Sequence, residues 1–366
     1  MENEPTYGAA GVSLATAGAV VERLRAAVES TGAEGFGAVA GLYPLDERRL
    51  LAASMDSIGT KPIVARARGL LRNCGADMAA HCINDVATTG AEPLFLLDYV
   101  AADRLDLEQV AELVEGAAEV CRAAGCALVG GETAEHPGLL EEGTFDLAGT
   151  CLGIVERGDL LDGTAARDGD VIFGLPSSGL HSNGYSLVRT LLAQYGIPLE
   201  RPYQEQLAMT LGDAGRDEAL AAEPELAMQT VGDVLLTPTR IYALRLLEAR
   251  RALRASGHDL RGLAHITGGG LPGNAPRALP QELAARLDPD RWSTPSVMTL
   301  VAALGGLAGE EVRATFNGGI GMVAVVDAGA AGALEAALPE AVLIGEVARA
   351  DEVGRRYVEG PLRVAV

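Results

Sequence analysis

The chain has 366 residues, of which 48% are hydrophobic and 22% charged, so it is long enough for two folded domains and too apolar to be disordered. Its 50 acidic and 29 basic residues give a net charge of −21. This balance argues against a surface for nucleic acid or anionic membranes, because both attract clustered basic side chains. No apolar run reaches the ~20 residues of a membrane span, and the acidic N-terminus does not resemble a signal peptide, so we expect a cytoplasmic protein.

The first half of the sequence alternates between helical and strand patterns. Apolar residues recur at helical spacing over 14–29 and predict a helix there. Asp106 is a predicted N-cap, with Gln109 three residues later in the manner of a capping box. Together the patterns predict helices over 76–89 and 107–124, and strands over 49–55, 93–101, 126–130 and 145–156.

A turn-rich segment, 161–170, separates the two halves, and we divide the chain there into domains 1–165 and 166–366. Alternating strands and helices predict an α/β fold in both domains. The acidic segment 197–233 lacks a clear period and is expected to be an irregular insertion. The second half has predicted strands over 171–175, 262–267, 320–327 and 341–347, and predicted helices over 182–195, 238–254 and 328–337.

The five cysteines form no CxxC pair and lie in apolar runs, so we expect them to be reduced core residues. The five histidines lack the spacing of a zinc site. His181 lies in a polar loop and is expected to contact a ligand. His265 lies on an apolar strand before a glycine run, and core and site roles are equally open for it.

Lys61 is the only lysine in the chain, since every other basic side chain is arginine. A general bias towards arginine is the simplest explanation of the composition. A retained lysine, however, indicates that arginine fails at this position. An ammonium group is a compact charge with three donors, whereas a guanidinium is a wide planar fork, and phosphate sites often use the former. We therefore predict a functional role for Lys61.

Four glycine-bearing segments stand where predicted strands meet helices or loops. Glycine lets the backbone approach a phosphate closely, and the amides at a helix N-terminus bind anions. Ordinary turns have the same composition, but four such segments together indicate a phosphorylated ligand. None matches a P-loop or a dinucleotide-binding motif. The segments are MDSIGTK (55–61), GGETAE (130–135), SSGLHSNG (177–184) and TGGG (267–270).

Three acidic residues in or near these segments suggest a metal ion. Asp56, Asp85 and Glu132 each lie beside a glycine or a polar residue at the end of a predicted element. Magnesium commonly takes one or two protein carboxylates together with phosphate oxygens, which makes a magnesium–nucleotide site chemically reasonable. Helix capping or a solvated turn is the alternative for each of them.

These segments, in this order, resemble those of the phosphoribosylformylglycinamidine cyclo-ligase family, also called the aminoimidazole ribonucleotide (AIR) synthetases. The resemblance extends from about Tyr7 to about Val347. The sequences that carry it are DSIGTK, INDVATTGAEPLFLLDY, GCALVGGETAEHPG, SSGLHSNGYSLVR, LLTPTRIY, AHITGGG and TFNGGIGM.

The resemblance implies a two-domain α/β subunit whose N-terminal sheet pairs with its copy in a homodimer to form a barrel, while the C-terminal domain covers the cleft. It implies ATP and Mg²⁺ as cofactors and leaves open whether K⁺ is needed as well. The substrate is formylglycinamidine ribonucleotide (FGAM), which is converted to AIR in purine synthesis. ATP phosphorylates the formyl oxygen, and the amidine nitrogen then closes the ring and expels phosphate.

The resemblance also implies roles for individual residues. Lys61 would neutralise the transferred phosphate, with His181 and Asp56 as further catalytic residues, and Asp56, Asp85 and Glu132 would hold the metal. The ATP site would comprise Gly59, Thr60, Lys61, Asp85, Gly130, Gly131 and Glu132. The substrate site would comprise Ser178, His181, Ser182, Asn183, Thr267, Gly268, Gly269 and Gly270.

Two positions depart from the family pattern. Ser57 stands where many relatives carry glycine, and Gly8 where many carry lysine. One alternative is another ATP-using member of the same superfamily, such as thiamine-monophosphate kinase or selenophosphate synthetase. A second alternative is a catalytically silent nucleotide-binding protein, although such a chain is expected to have lost the charged residues named above.

Overall fold

The computed structural model describes residues 8–11, 13–32 and 39–362. Its first half forms one sheet flanked by helices. The order of elements is α1 (Leu14–Glu29), β1 (Gly41–Pro44), β2 (Arg49–Ser57), α2 (Lys61–Arg68), α3 (Leu71–Thr88), β3 (Glu92–Ala102), α4 (Leu107–Ala124), β4 (Ala127–Glu135) and β5 (Phe145–Glu156).

The first sheet has the strand order β1-β2-β5-β3-β4. All neighbouring pairs are antiparallel except β3 and β4, which are parallel and joined through α4. Helix α3 packs on the inner face and is buried along most of its length. Helix α4 crosses α3 at Gly75 and Gly116. The helices approach so closely there that a Cβ at either residue would collide with a carbonyl of the other helix. The helix pair therefore closes only the inner side of the sheet.

The outer face of this sheet is apolar, and large side chains on it stay exposed among the described residues. Met55, Thr150, Leu97 and Gly130 are directly opposed across four strands, so they share one face. The side chains of Met55 and Leu97 are 66% and 39% exposed. A sheet face of this kind is usually covered by another surface.

The second half forms a larger sheet with both faces covered. Its elements are β6 (Val171–Pro176), α5 (Tyr185–Gln194), α6 (Tyr203–Ala222), α7 (Val231–Leu235), α8 (Ala243–Ala255), β7 (Gly262–His265), α9 (Gly270–Asn274), β8 (Leu283–Leu287), α10 (Ser296–Gly305), α11 (Gly309–Thr315), β9 (Ile320–Val326), α12 (Ala331–Ala337), β10 (Val342–Arg349), α13 (Ala350–Val353) and β11 (Tyr357–Glu359).

The strand order of the second sheet is β11-β8-β10-β6-β9-β7, and only β11 and β8 are parallel. Strand β9 is buried throughout. Met322 and Ala324 pack in one core with α8 and α12, whereas Val323 and Val325 pack in another with the α9 region. The sequence's α/β prediction is therefore confirmed, with a mixed sheet in each half.

Several predicted elements have the bounds read from the sequence. Helices over 14–29 and 107–124 and the strand over 145–156 are confirmed, and the Asp106 carboxylate accepts a hydrogen bond from the Gln109 amide as the capping pattern predicts. All five cysteines are buried and free, as expected. In the described part of the chain, no helix is both long and apolar enough to cross a bilayer.

The prediction of an irregular segment over 197–233 is wrong. Residues 203–222 form α6, which bends where Gly212 has a φ of 76°. Tyr203 and Leu207 are fully buried, and the Tyr203 hydroxyl lies 2.8 Å from the Ser296 hydroxyl of α10. The acidic residues of this helix face the solvent and outnumber its buried apolar residues. The composition of the segment therefore does not reveal the helix.

Candidate active site

Three histidines meet where the two halves of the chain pack together. His81 belongs to α3, His181 to the loop after β6, and His265 to β7. The ring centroid of His81 lies 5.3 Å from that of His265 and 6.5 Å from that of His181. All three side chains are almost completely buried. The cluster therefore contains one imidazole from the first half and two from the second.

Each of two carboxylates lies against one of these histidines. The Asp85 carboxylate is 2.8 Å from His265 Nδ1 and accepts a second hydrogen bond from the Ser54 hydroxyl at 3.0 Å. The Asp56 carboxylate is 3.4 Å from His81 Nδ1. Both Asp85 oxygens are engaged and the residue is 7% exposed, whereas the Asp56 side chain is 36% exposed. Asp56 is thus the more accessible of the two carboxylates.

The cluster shifts its histidines in opposite directions. Burial is the largest single influence and would lower the pKa of His81, but Asp56 together with the charges of Asp77 and Asp85 outweighs burial and raises that pKa. Burial would likewise raise the pKa of Asp56, and the contact with His81 lowers it instead. Burial, followed by the positive charges around it, lowers the pKa of His181 well below its ordinary value. His181 is therefore neutral at neutral pH.

Several buried polar atoms in or beside this cluster have no hydrogen-bond partner within the described part of the chain. They are the two ring nitrogens of His81, His265 Nε2, His181 Nδ1, the Ser182 hydroxyl and the Asn183 Nδ2 amide. Buried polar groups are normally paired, and an unpaired group indicates a partner that the chain itself does not supply. These donors and acceptors fit a polar ligand held between the two halves.

His181 has an unusual backbone conformation. Its φ is 57°, and no other non-glycine residue in the described ranges has a positive φ. The Ser178 amide donates to His181 Nε2 at 3.2 Å, and the Ser178 hydroxyl donates to the Pro238 carbonyl at 2.6 Å. The loop is therefore braced from both sides around a strained residue.

Lys61 is enclosed within the chain. Its ammonium is completely buried, 2.7 Å from the Asp77 carboxylate. The remaining donors go to the carbonyls of His181 at 2.8 Å and Thr237 at 3.2 Å. One ion pair and two hydrogen bonds engage the buried ammonium, and this packing does not favour a direct contact with transferred phosphate. The phosphate role expected for Lys61 therefore stays a prediction.

Glu132 is separated from the other two expected metal ligands within one chain. One row of paired residues crosses the first sheet through Ser57, Ala148, Tyr99 and Glu132, so their side chains share a face. Asp56, next to Ser57 in β2, faces the other way, so Glu132 lies on the outer face and Asp56 on the inner one. Strands β2 and β4 are also three spacings apart, or about 14 Å. Gly130 and Gly131 share this exposed strand. A single chain therefore cannot bring Glu132 to the histidine cluster.

In the described ranges, no group of three or more His, Cys, Asp or Glu side chains is arranged to hold a metal ion. The expected trio of Asp56, Asp85 and Glu132 is thus not assembled in one chain. Asp56 alone offers a partly exposed carboxylate beside the cluster.

The loop over Gly59 and Thr60 leads into α2 and borders a groove of about 1000 Å³ between α2 and α5. Gly59 has a φ of 56°, which favours glycine. The hydroxyls of Thr60 and Ser186 lie 3.3 Å apart, and Arg189 also lines the groove. Ser57, the departure from the family pattern, ends β2 opposite Ala148 without a positive φ, so serine fits there without strain.

The glycine turn over Thr267–Gly270 faces the His181 loop. A side chain at Gly268 would point towards Asn183 Oδ1, 3.6 Å away. Asn274 Nδ2 donates to the Gly270 carbonyl at 2.8 Å. It also lies 3.3 Å from the Thr267 carbonyl and 3.2 Å from the Gly268 carbonyl, as a donor to both. The turn is therefore held in shape by one buried amide.

Sequence reasoning missed the polar side chains of α3 that hold the two halves together. Asn84 donates to the Arg240 carbonyl at 2.9 Å and accepts from the Tyr242 amide at 2.8 Å. Asp77 accepts from the Thr239 amide at 2.7 Å. The sequence did carry a signal for these contacts. Asp77 and Asn84 follow Asn73 by four and eleven positions, a spacing that puts all three polar residues on one face of a helix. The same contacts engage 238–242 outside the helix, so α8 begins at Ala243 instead of the predicted residue 238.

Comparisons with known proteins agree with this architecture. Two family models match the chain: "AIR synthase related protein, N-terminal domain" over residues 37–155, and "AIR synthase related protein, C-terminal domain" over residues 167–358. The phosphoribosylformylglycinamidine cyclo-ligase of Sorangium cellulosum is 43% identical over 359 residues, covering 95% of this chain and 97% of that protein. The cyclo-ligase of Myxococcus xanthus is 42% identical, covering 96% of this chain and 95% of that protein.

A solved structure of T. maritima PurL complexed with ADP has a similar fold, with a TM-score of 0.55 and 18% identity. The similarity covers 90% of this chain but 44% of that longer chain. At this identity, the likeness establishes the fold alone.

Proposed function

The chain belongs to the AIR synthase related protein family, and from that membership we propose that it converts FGAM to AIR, consuming ATP and releasing ADP and phosphate. The observation that carries this proposal is the similarity to curated cyclo-ligases across nearly the whole of both chains. The buried, unpartnered polar atoms between the two halves support a polar ligand at the same place.

The reaction requires the formyl oxygen of the substrate to become a leaving group. Phosphorylation by ATP turns this oxygen into an iminophosphate, and the amidine nitrogen of the same molecule then attacks the carbon and expels phosphate. Most of this chemistry is positioning and charge stabilisation, so a protein nucleophile is not needed. Ser182 and Asn183 supply unpaired donors, and His181 supplies a neutral imidazole whose Nδ1 is free.

We assign magnesium to Asp56, whose carboxylate is partly exposed and held in its ionised form by His81. Magnesium would neutralise phosphate charge there. Asp85 is the less accessible carboxylate, since its two oxygens already bond to Ser54 and His265 inside the chain. We place ATP along the loop over Gly59 and Thr60, beside the groove that Arg189 lines.

We also propose a homodimer in which the outer faces of two N-terminal sheets meet. Met55 and Leu97 on this face are exposed in the single chain, and a second copy would bury them. Gly130, Gly131 and Glu132 would then lie at or near the interface, where Glu132 could serve the site of the other subunit. The domain boundary is proposed at 165/166, between β5 and β6.

The proposal is tested with purified protein, FGAM, ATP and Mg²⁺, with and without K⁺, by following ADP and the diazotisable amine of AIR together. Equal amounts of both products, formed only when FGAM is present, are expected. ADP without AIR would indicate a different phosphate acceptor. Neither product, in a protein that still binds ATP, would favour a silent nucleotide-binding protein.

A further inference from the structure

The environment of Lys61 explains why one lysine persists in a chain otherwise rich in arginine. Its ammonium forms an ion pair with the Asp77 carboxylate and donates hydrogen bonds to the carbonyls of His181 and Thr237. The side chain is 0% exposed. A guanidinium has five donors on a wide plane, so it would leave donors unpaired in this enclosed space.

Asp77 connects this lysine to the second half of the chain. One carboxylate oxygen accepts from the Thr239 amide at 2.7 Å and from the Thr239 hydroxyl at 2.6 Å. The other lies against Lys61. The ion pair therefore joins α2 and α3 to the loops that contain His181 and Thr239.

The His181 carbonyl that Lys61 binds belongs to the residue with the left-handed backbone. This conformation is unfavourable for a residue other than glycine unless contacts with the surrounding structure hold it. The conformation places the imidazole against Gly321, where a Cβ would lie 2.7 Å from His181 Cε1. Rotation of the backbone at His181 would move the ring out of this place.

We propose that Lys61 acts on the reaction through His181, because its pairing with Asp77 holds the His181 carbonyl and thereby keeps the imidazole in its place beside His81 and Gly321. Lys61 and Asp77 are then positioning residues, and neither touches phosphate. The inference rests on the proposed function, since it assigns the His181 side chain a part in that reaction.

The decisive experiment is a double-mutant cycle between Lys61→Met and His181→Asn, read as kcat/KM for AIR formation. Lys61→Met alone is expected to lower kcat/KM by about 100-fold. This is the size of loss seen when a group that stabilises the transition state is removed. If Lys61 works through His181, adding Lys61→Met to His181→Asn lowers activity by no more than about threefold. Losses that multiply in the double variant would overturn the inference.

Lys61→Met leaves the Asp77 charge buried and unpaired, so the variant could fail to fold. The cycle is therefore repeated with Lys61→Met/Asp77→Asn in place of Lys61→Met. The Asp77→Asn substitution removes the charge, and the amide oxygen of the new side chain can still accept from the Thr239 amide and hydroxyl. The same non-additivity with His181→Asn is expected in this background.

A binding measurement separates positioning from direct phosphate contact. The affinities of ATP and adenosine are compared by calorimetry for the wild-type protein and Lys61→Met/Asp77→Asn. Positioning leaves the ratio of the two affinities unchanged within about twofold, whereas loss of a charged phosphate contact lowers it by about tenfold or more. A tenfold fall in the ratio contradicts the inference.

The two proposals fail in different ways. A wild-type protein that binds ATP but makes no AIR contradicts the proposed function, and the affinity ratio still decides whether Lys61 contacts phosphate. A wild-type protein that makes AIR, with multiplying losses in the cycle, contradicts only the inference about Lys61.

Discussion

The Lys61 ammonium lies 2.7 Å from the Asp77 carboxylate, and neither side chain has any exposed surface. Removing two charges from water costs several kcal/mol for each, and their attraction returns this only with good geometry and further hydrogen bonds. Further hydrogen bonds are present here, since each partner also bonds to loops of the second half. The pair therefore fixes the relative position of the two halves more than it adds to their stability.

Loss of one partner of this pair is expected to be costly. Lys61→Met should lower the free energy of unfolding by about 3–5 kcal/mol, because it leaves the Asp77 charge buried and uncompensated. Lys61→Met/Asp77→Asn should recover most of that loss. Urea unfolding measures both. Arg72→Met is a matched control on the same helix as Asp77: Arg72 pairs with Glu115 and Glu119 at the surface, so its loss should cost less than about 1 kcal/mol. Equal losses at Lys61 and Arg72 would contradict the expectation.

The lowered pKa of His181 predicts how stability changes with pH. The imidazole stays neutral in the folded protein, whereas in the unfolded chain it gains a proton near its ordinary pKa. The unfolded state then binds more protons below about pH 6.5, so the histidine reduces stability as pH falls. Relative to His181→Asn, the wild-type protein should lose up to about 1.4 kcal/mol per pH unit below that point.

This difference is measured as the free energy of unfolding of both proteins between pH 5 and pH 8. Comparing the two proteins cancels the titration of the carboxylates, which both share. A difference that is constant over this range, or that favours the wild-type protein at pH 5, would show that His181 is not held neutral.

Asn84 should contribute more to stability than its size suggests. It is completely buried and bonds to both the Arg240 carbonyl and the Tyr242 amide. Asn84→Ala leaves two backbone groups unpaired and should cost about 2–4 kcal/mol. Asn73→Ala, which breaks one bond to the Leu236 carbonyl, should cost about half as much. Thermal unfolding of both variants checks the order, and a larger loss at Asn73 would argue against it.

The proposed homodimer depends on the outer face of the first sheet. Leu97→Asp or Met55→Asp would place a charge at the centre of that contact and should yield monomers, because an unpaired charge in an apolar interface is strongly unfavourable. Light scattering at micromolar concentration gives the mass. Met209→Asp on α6, at a position 69% exposed in the single chain, should leave the dimer intact. A wild-type monomer would remove the proposal.

Local patterns gave reliable element boundaries where neighbouring residues decide them. Helix α4 begins at the Asp106 cap because the Asp106 side chain bonds to an amide three residues away. Helix α8 starts later than its pattern predicts, because side chains of α3 bond to the backbone of 239–242 and hold this segment outside the helix. Helix α6 was missed because its apolar anchors pack on α10, far along the chain.

The sequence by itself determined the α/β class, the buried cysteines, the glycine loops and the isolated lysine, since all of these are set by composition or by residues within a few positions of one another. Only the tertiary structure decided what Lys61 binds and which face carries Glu132. The partners of Lys61 lie as far as 176 positions away. The face of Glu132 depends on strand order and register. Both follow from how distant segments pack, and no local period encodes that packing.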